Sequence, residues 1–84
     1  MIHRQQIEHF PGTLAELAAE IGDLRYDALA ELLRELAAKL EKDAVADAER
    51  GRPRLAAALG ESAASVTRAA VEMDRAWSIC ARYM

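Results

Sequence analysis

Apolar residues recur on one face of a helix from Arg54 to Met84, and this stretch is the most regular pattern in the chain. The steps between them alternate between four and three residues, which is the heptad rule of a helix packed lengthwise against others. The main row consists of Leu55, Leu59, Ser62, Val66, Ala69, Met73, Ala76, Cys80 and Tyr83, and a flanking row of Ala56, Ala63, Ala70, Trp77 and Met84. The pattern predicts a long helix over about 53–83 that has a long partner.

A second apolar stripe predicts that partner helix, over about 24–50. Its face consists of Tyr26, Leu29, Leu32, Leu33, Leu36, Leu40 and Ala44. Either Asp23 or Asp27 can cap its start, and we favour Asp23. Gly51 and Pro53 follow, and they suit a helix end and the first position of the next helix. We therefore expect a tight helical hairpin in which the numbers of opposing residues add up to about 102.

A short helix over about 14–21 is predicted ahead of the hairpin. Thr13 and Glu16 have the spacing of a capping box, and Gly22 suits the left-handed residue that often ends a helix. Residues 1–12 are interpreted as an N-terminal arm. The predicted fold is therefore all-α, with one domain over residues 1–84: an antiparallel hairpin of two long helices preceded by a short helix.

Apolar residues outside the main stripe of the last helix predict self-association. Ala57, Ala64 and Val71 follow one another at seven-residue spacing, and Ile79 also lies outside the stripe. A helix that is apolar on more than one face is usually buried on more than one face. A chain of 84 residues is also small for a stable core of its own. We expect a homodimer or a higher homo-oligomer, most simply a four-helix bundle with a two-fold axis.

Charge and cysteine content narrow the class of protein. A net charge of −3 argues against a nucleic acid or an anionic membrane as the main partner. Cys80 is the only cysteine, so no disulfide can form within one chain, which favours a reducing compartment. The first residues do not form the apolar run of a signal peptide or a transmembrane segment. We expect a cytoplasmic location without membrane insertion.

The open end of the hairpin is the first candidate site. The pairing rule brings together Tyr26, Trp77, Cys80 and Tyr83 there, with two methionines, Met73 and Met84. This set could line a ligand-binding pocket with a thiol and two phenol hydroxyls on its wall. The alternative, which we favour, is a hydrophobic core over which the short helix and Phe10 dock.

The turn end carries three arginines, Arg50, Arg52 and Arg54, beside the predicted start of the last helix. A helix N-terminus can bind phosphate, so an anion site is one interpretation. We favour a structural one, in which arginines neutralise Asp43 and Asp47 on the otherwise apolar face of the preceding helix.

The elbow between the short helix and the hairpin, residues 22–27, is the most polar junction. Asp23, Arg25 and Asp27 could bind a partner protein there. The alternative, which we favour, is that they cap helices and form an ion pair that fixes the elbow angle.

No catalytic residue, metal site or cofactor is predicted. His3, Glu8 and His9 have metal-ligand chemistry, but their spacing fits no zinc or di-iron motif. The leading hypothesis is a small noncatalytic helical interaction or adaptor protein that associates with itself and can bind another protein. The alternative is a small-ligand-binding protein, or an enzyme, that uses the aromatic and thiol-bearing open end.

Overall fold

The computed structural model describes residues 3–83, and within them it contains three α-helices and no strand. The bounds are Leu14–Gly22 for α1, Tyr26–Glu49 for α2 and Pro53–Cys80 for α3, followed by a 3₁₀ turn at Ala81–Tyr83. Helices α2 and α3 pack against each other along their length as an antiparallel hairpin. The predicted all-α hairpin with a short helix in front is confirmed. The prediction for Met84 lies outside the described residues.

The capping box at the start of α1 is confirmed. The Thr13 hydroxyl accepts a hydrogen bond from the Glu16 backbone N–H at 3.1 Å, and the Thr13 N–H donates to the Glu16 carboxylate at 3.0 Å. The second hydrogen bond lowers the pKa of Glu16. The prediction that Gly22 is left-handed is wrong. Asp23 ends the helix in a right-handed conformation (φ −83°, ψ −5°), and its N–H donates to the Ala19 carbonyl at 3.1 Å.

Asp23 is therefore not the N-cap of the long helix, which corrects the sequence prediction. The backbone of Asp23 still belongs to the end of α1, and the next N–H, from Leu24, donates to the Ile21 carbonyl at 3.1 Å. The N-cap of α2 is Arg25, whose extended backbone (φ −54°, ψ 140°) changes the chain direction without a side-chain cap. Asp27 lies inside the first turn, where its carboxylate accepts from the Ala28 N–H at 2.9 Å.

The turn between α2 and α3 has the glycine and proline positions predicted from the sequence. Gly51 has a φ of +76°, a left-handed conformation that favours glycine, and Pro53 is the first residue of α3. The Arg52 N–H donates to the Asp47 carbonyl at 2.9 Å, which closes the end of α2. This short connection sets the two long helices side by side in opposite directions.

Alanines form the buried seam between α2 and α3. The buried apolar residues among those described are Ala30, Ala37, Ala44, Ala63 and Ala70. Larger residues alternate with them at steps of three and four and remain half-buried: Leu33 and Leu40 on α2, and Leu59, Val66 and Met73 on α3. The heptad spacing predicted for α3 is therefore present, with small and large residues taking turns along the seam.

The assignment of rows within α3 is corrected. Ala63 and Ala70, from the predicted flanking row, lie in the seam, whereas Leu55, Ser62 and Ala69 from the predicted main row are exposed. Alanine has no side chain beyond Cβ, so it lets two helices approach closely. The larger residues of the seam then extend toward one edge of the contact instead of filling its centre.

Helix α1 does not add a second layer to the hairpin. None of its residues is buried, although Leu17 and Ile21 are half-buried. The Cα atoms span 50 × 29 × 14 Å, so the described chain is flat. Among residues 3–83, no helix combines the length and the apolar character that crossing a bilayer requires.

Candidate functional site

An ion pair joins two residues of the elbow between α1 and α2. The Arg25 guanidinium donates two hydrogen bonds to the Asp27 carboxylate, Nε to Oδ1 at 2.6 Å and Nη2 to Oδ2 at 2.8 Å. These hydrogen bonds lower the pKa of Asp27 and raise the pKa of Arg25. The arrangement matches the structural interpretation of the elbow, in which Asp27 is also bonded to the first turn of α2. Asp23 forms none of the ion pairs found among residues 3–83.

The same arginine connects the elbow to the end of α3. The Arg25 guanidinium carbon lies 5.0 Å from the centroid of the Trp77 ring, a distance suited to a cation–π contact. Beneath this contact lies an open cleft of about 280 Å³, lined by Tyr26, Trp77, Cys80 and the elbow residues 22–25. Three of the four predicted open-end residues are thus together. Their role in binding a ligand stays a prediction.

Tyr83 is not part of this cleft, which corrects the fourth placement. Its exposed fraction is 85%, and it belongs to the 3₁₀ turn that follows Cys80. Phe10 does not fold over the open end either. Its ring lies against Gly12, where its Cε1 atom would be 2.7 Å from an added Cβ. The cleft is consequently open to solvent rather than enclosed.

Two of the three arginines at the turn end, Arg50 and Arg52, lie beside one buried carboxylate. Asp47 is only 6% exposed, and its Oδ1 lies 3.3 Å from a guanidinium nitrogen of Arg52 and 3.9 Å from one of Arg50. The favoured structural interpretation therefore fits Asp47. It does not fit Asp43, which pairs with Lys39 one turn earlier on the same helix, at 2.6 Å. Asp43 is out of reach of the turn because it lies a full turn before Asp47.

Residues 3–12 of the N-terminal arm do not bring the candidate metal ligands His3, Glu8 and His9 together as a group. Glu8 accepts a hydrogen bond from Arg4 at 2.7 Å instead of facing His3 or His9. Among residues 3–83, no three His, Cys, Asp or Glu side chains are grouped so that they could hold a metal ion. The arm passes the second half of α2, since His3–His9 shares a shallow depression with Lys39 and Asp43.

The hairpin has two different faces, and the ion pair between Arg34 and Asp74 marks one of them. Arg34 of α2 donates a hydrogen bond to Asp74 of α3 on one side of the seam, and this hydrogen bond raises the pKa of Arg34. A shallow depression on that side is floored by small residues, namely Ala37, Ala38, Gly60, Ala63 and Ala64. We call this side the alanine face.

The opposite side carries the large apolar residues. At about 100° per residue, Leu36 points roughly 200° away from Arg34, so it lies on the other side of the seam. We call this side the leucine face: it comprises Leu29, Leu32, Leu33, Leu36 and Leu40 of α2, and Leu55, Leu59, Val66 and Met73 of α3. Leu36 is 45% exposed and Leu55 is 44% exposed. No other helix of the described chain covers these side chains, although the arm adjoins the turn-side part of this face at Asp43, which is seven residues after Leu36 and therefore on the same side of α2.

The leucine face was not predicted from the sequence as a separate surface. The leucines of α2 were expected to form the interior of the hairpin, because leucine is the more hydrophobic residue. The signal that marks the true seam is alanine at every seventh position, at 30, 37 and 44 on α2 and at 56, 63 and 70 on α3. Two helices whose closest positions are alanines leave their large residues on the outside.

Comparison with protein families, with curated proteins and with solved structures finds no match to this chain.

Proposed function

We propose that this protein is a small noncatalytic helical interaction module, acting in the cytoplasm, that associates with itself through the leucine face. One observation carries the proposal: within residues 3–83 the fully buried apolar side chains are alanines, while the leucines of the hairpin lie half-buried or exposed. Fully burying a leucine side chain contributes about 1.5–3 kcal/mol. A partner that covers this face would supply the burial that the single chain leaves incomplete.

The exposed area also supports a helical partner. Large contiguous apolar patches on a protein surface mark interaction sites. The leucine face runs along two antiparallel helices, α2 and α3. Its apolar positions recur at steps of three and four residues, which a second pair of helices can match. The simplest role for this helical surface is therefore to bind the same surface of a second copy.

The ionisable side chains support a role without catalysis. Glu16, Arg25, Asp27 and Arg34 have shifted pKa values. Each of them takes part in a helix cap or in a solvent-exposed ion pair. Such shifts stabilise helix ends and helix contacts, whereas acid–base catalysis needs a group tuned by a desolvated cleft.

The dependence of the melting temperature on protein concentration tests this proposal. If folding is coupled to association, the melting temperature rises with protein concentration, because mass action favours the assembled state. Circular dichroism melts over a hundredfold range of concentration provide the measurement. A melting temperature that stays constant over this range would contradict self-association.

A second candidate is a small-ligand-binding protein that uses the cleft at the open end. What favours it is the grouping of Tyr26, Trp77 and Cys80 around an open cleft of about 280 Å³. Trp77 is the only tryptophan, so its fluorescence reports on this cleft alone. A saturable change of that fluorescence with small aromatic compounds, lost in Tyr26→Ala, would support the second function; its absence would leave only the first.

A further inference from the structure

The N-terminal arm, residues 3–12, returns to the hairpin beside the leucine face. Residues 3–9, apart from Gln5, line a shallow depression together with Lys39 and Asp43 of α2. Asp43 follows Leu36 by seven residues and therefore lies on the same side of α2. The arm thus adjoins the leucine face at the part that is nearest to the turn.

Exposure along this side of α2 differs between two equivalent positions. Leu36 is exposed, whereas Asp43, one heptad later, is half-buried with 21% of its side chain exposed. Carboxylates are normally among the more exposed groups of a protein. Lys39 pairs with Asp43 but is itself 60% exposed. The arm shares its depression with Asp43 and not with Leu36, so it adjoins the less exposed of the two positions.

The arm is polar on the side that a partner would meet. Residues 3–9 are all exposed, and Ile7 is the one large apolar side chain among them. Packed helices have axes about 8–10 Å apart, so a segment beside Asp43 occupies space that a helix over Leu36 and Leu40 needs. Burying the polar groups of the arm in such a contact without hydrogen-bond partners is unfavourable. The arm and a helical partner therefore compete for this part of the face.

The arm is held to the hairpin without polar bonds. Within residues 3–83, the polar bonds of the arm are internal to it or belong to the cap of α1. Arg4 donates to Glu8 at 2.7 Å, and the Phe10 N–H donates to the Ile7 carbonyl at 3.5 Å. The cap of α1 begins only at Thr13. The arm can therefore leave α2 without breaking a helix or an ion pair.

We infer that the arm is an autoinhibitory strap: in the single chain it occupies space over the turn-side part of the leucine face, and self-association requires it to move away. This inference rests on the proposed self-association and adds its regulation. Only chains with a released arm are competent to associate, so the strap weakens the apparent affinity by the fraction of chains that are released. It weakens association without abolishing it.

Cross-linking the arm to α2 tests the strap in the full chain. Gln6→Cys and Lys39→Cys, made together in a Cys80→Ser background, place two thiols on the wall of the shared depression. A short bismaleimide, applied at nanomolar protein concentration, joins them within one chain, and mass spectrometry confirms the link. The same chain with both thiols capped by N-ethylmaleimide is the matched control. Circular dichroism checks that both forms are equally helical.

The linked chain is expected to have a dissociation constant at least about tenfold above that of the capped chain, because linkage removes the released fraction. Sedimentation equilibrium measures both constants. The loss of the Lys39–Asp43 pair is common to the two forms and cancels in the comparison.

A substitution that loosens the arm is expected to act in the opposite direction. Ile7→Ser removes the large apolar side chain of residues 3–9 and is expected to lower the dissociation constant by about threefold or more, because the released fraction grows. Gln5→Ser is the control, since Gln5 does not line the shared depression, and it is expected to leave the constant unchanged.

The possible results separate the strap from the proposed function. Thiols that cannot be joined within one chain overturn the strap and leave self-association standing. A linked chain that associates as tightly as the capped chain, or more tightly, has the same consequence, and so does an Ile7→Ser variant that matches the parent protein. A parent chain that stays monomeric across the micromolar range overturns both proposals.

Discussion

Leu36 keeps 45% of its surface exposed, although the next residue of α2, Ala37, is 6% exposed and lies in the seam with α3. The smaller side chain is thus inside and the larger one outside. This inversion repeats along the hairpin, since all of the buried apolar residues among those described are alanines. It explains why the folded single chain presents a broad apolar surface rather than a closed core.

Replacing Leu36 by alanine tests the role of the leucine face in association. Burying a leucine side chain contributes about 1.5–3 kcal/mol, and about 1.4 kcal/mol changes a dissociation constant tenfold. Leu36→Ala is therefore expected to raise the dissociation constant of the dimer at least about tenfold, as measured by sedimentation equilibrium. Val71→Ala is the control: Val71 is exposed and follows Ala64 of the alanine face by seven residues. It belonged to the surface from which the sequence predicted self-association, and the proposal moves that surface to the leucine face. Equal effects of the two substitutions would contradict the assignment of the interface.

Enlarging one alanine of the seam tests the close approach of α2 and α3. Ala63 is 4% exposed, so a leucine there has to push the helices apart. Ala63→Leu is expected to lower the free energy of unfolding by about 1–3 kcal/mol, the usual cost of overpacking. Urea denaturation gives this value. The neighbouring exposed position, Ala64→Leu, is expected to stay within about 0.5 kcal/mol of the parent protein. An unaffected Ala63→Leu variant would show that the seam is looser than described.

Two glycines are expected to respond to alanine in opposite directions. Gly51 has a φ of +76° and no atom within 4 Å of an added Cβ, so the effect of Gly51→Ala is conformational only. The left-handed conformation costs an alanine about 1–2 kcal/mol. Gly60 lies inside α3 with equal space around it, and Gly60→Ala is expected to stabilise the helix by up to about 1 kcal/mol. Thermal melts of both variants measure the direction of each change in stability. A higher melting temperature for Gly51→Ala would contradict the turn geometry.

Acid is expected to weaken the elbow. The hydrogen bonds from Arg25 lower the pKa of Asp27 in the folded chain. In the pH range between this lowered pKa and the ordinary value of about 3.9, the unfolded chain binds more protons at this residue. The stabilisation is therefore present above about pH 4 and is lost as the pH falls through the lowered pKa.

Asp27→Asn checks this linkage. The variant is expected to melt at a lower temperature than the parent protein at pH 7, and the difference is expected to shrink as the pH approaches 2. Asp23→Asn serves as the control, because Asp23 belongs to the same elbow but to none of the ion pairs found in residues 3–83. A difference that does not change with pH would show that the Arg25–Asp27 pair contributes nothing to stability.

Local signals predicted most of the fold. The Thr13–Glu16 capping box, the Gly51–Pro53 turn and the heptad steps depend on residues close together in the chain, and the structure confirms all three. The start of α2 was predicted less well. Asp23 has the right side chain for an N-cap, but its backbone is still needed to end α1, a competition that a list of capping residues does not reveal.

Hydrophobicity alone could not show which residues of α2 and α3 form the seam. A scale that ranks Leu36 above Ala37 assigns Leu36 to the interior, yet the seam selects small residues because they let the helices approach closely. The sequence also brought Tyr26, Trp77 and Cys80 together correctly. It could not place Tyr83, because the 3₁₀ turn at Ala81–Tyr83 has no clear marker in the residues around it.

The molar mass of the purified chain in solution tests the central claim most directly. Multi-angle light scattering across the micromolar range is expected to give at least twice the 9.2 kDa of one chain, with the leucine face covered in the assembly. A single species of 9.2 kDa throughout that range would contradict the account, because the leucines of the hairpin would then remain exposed in the functional state.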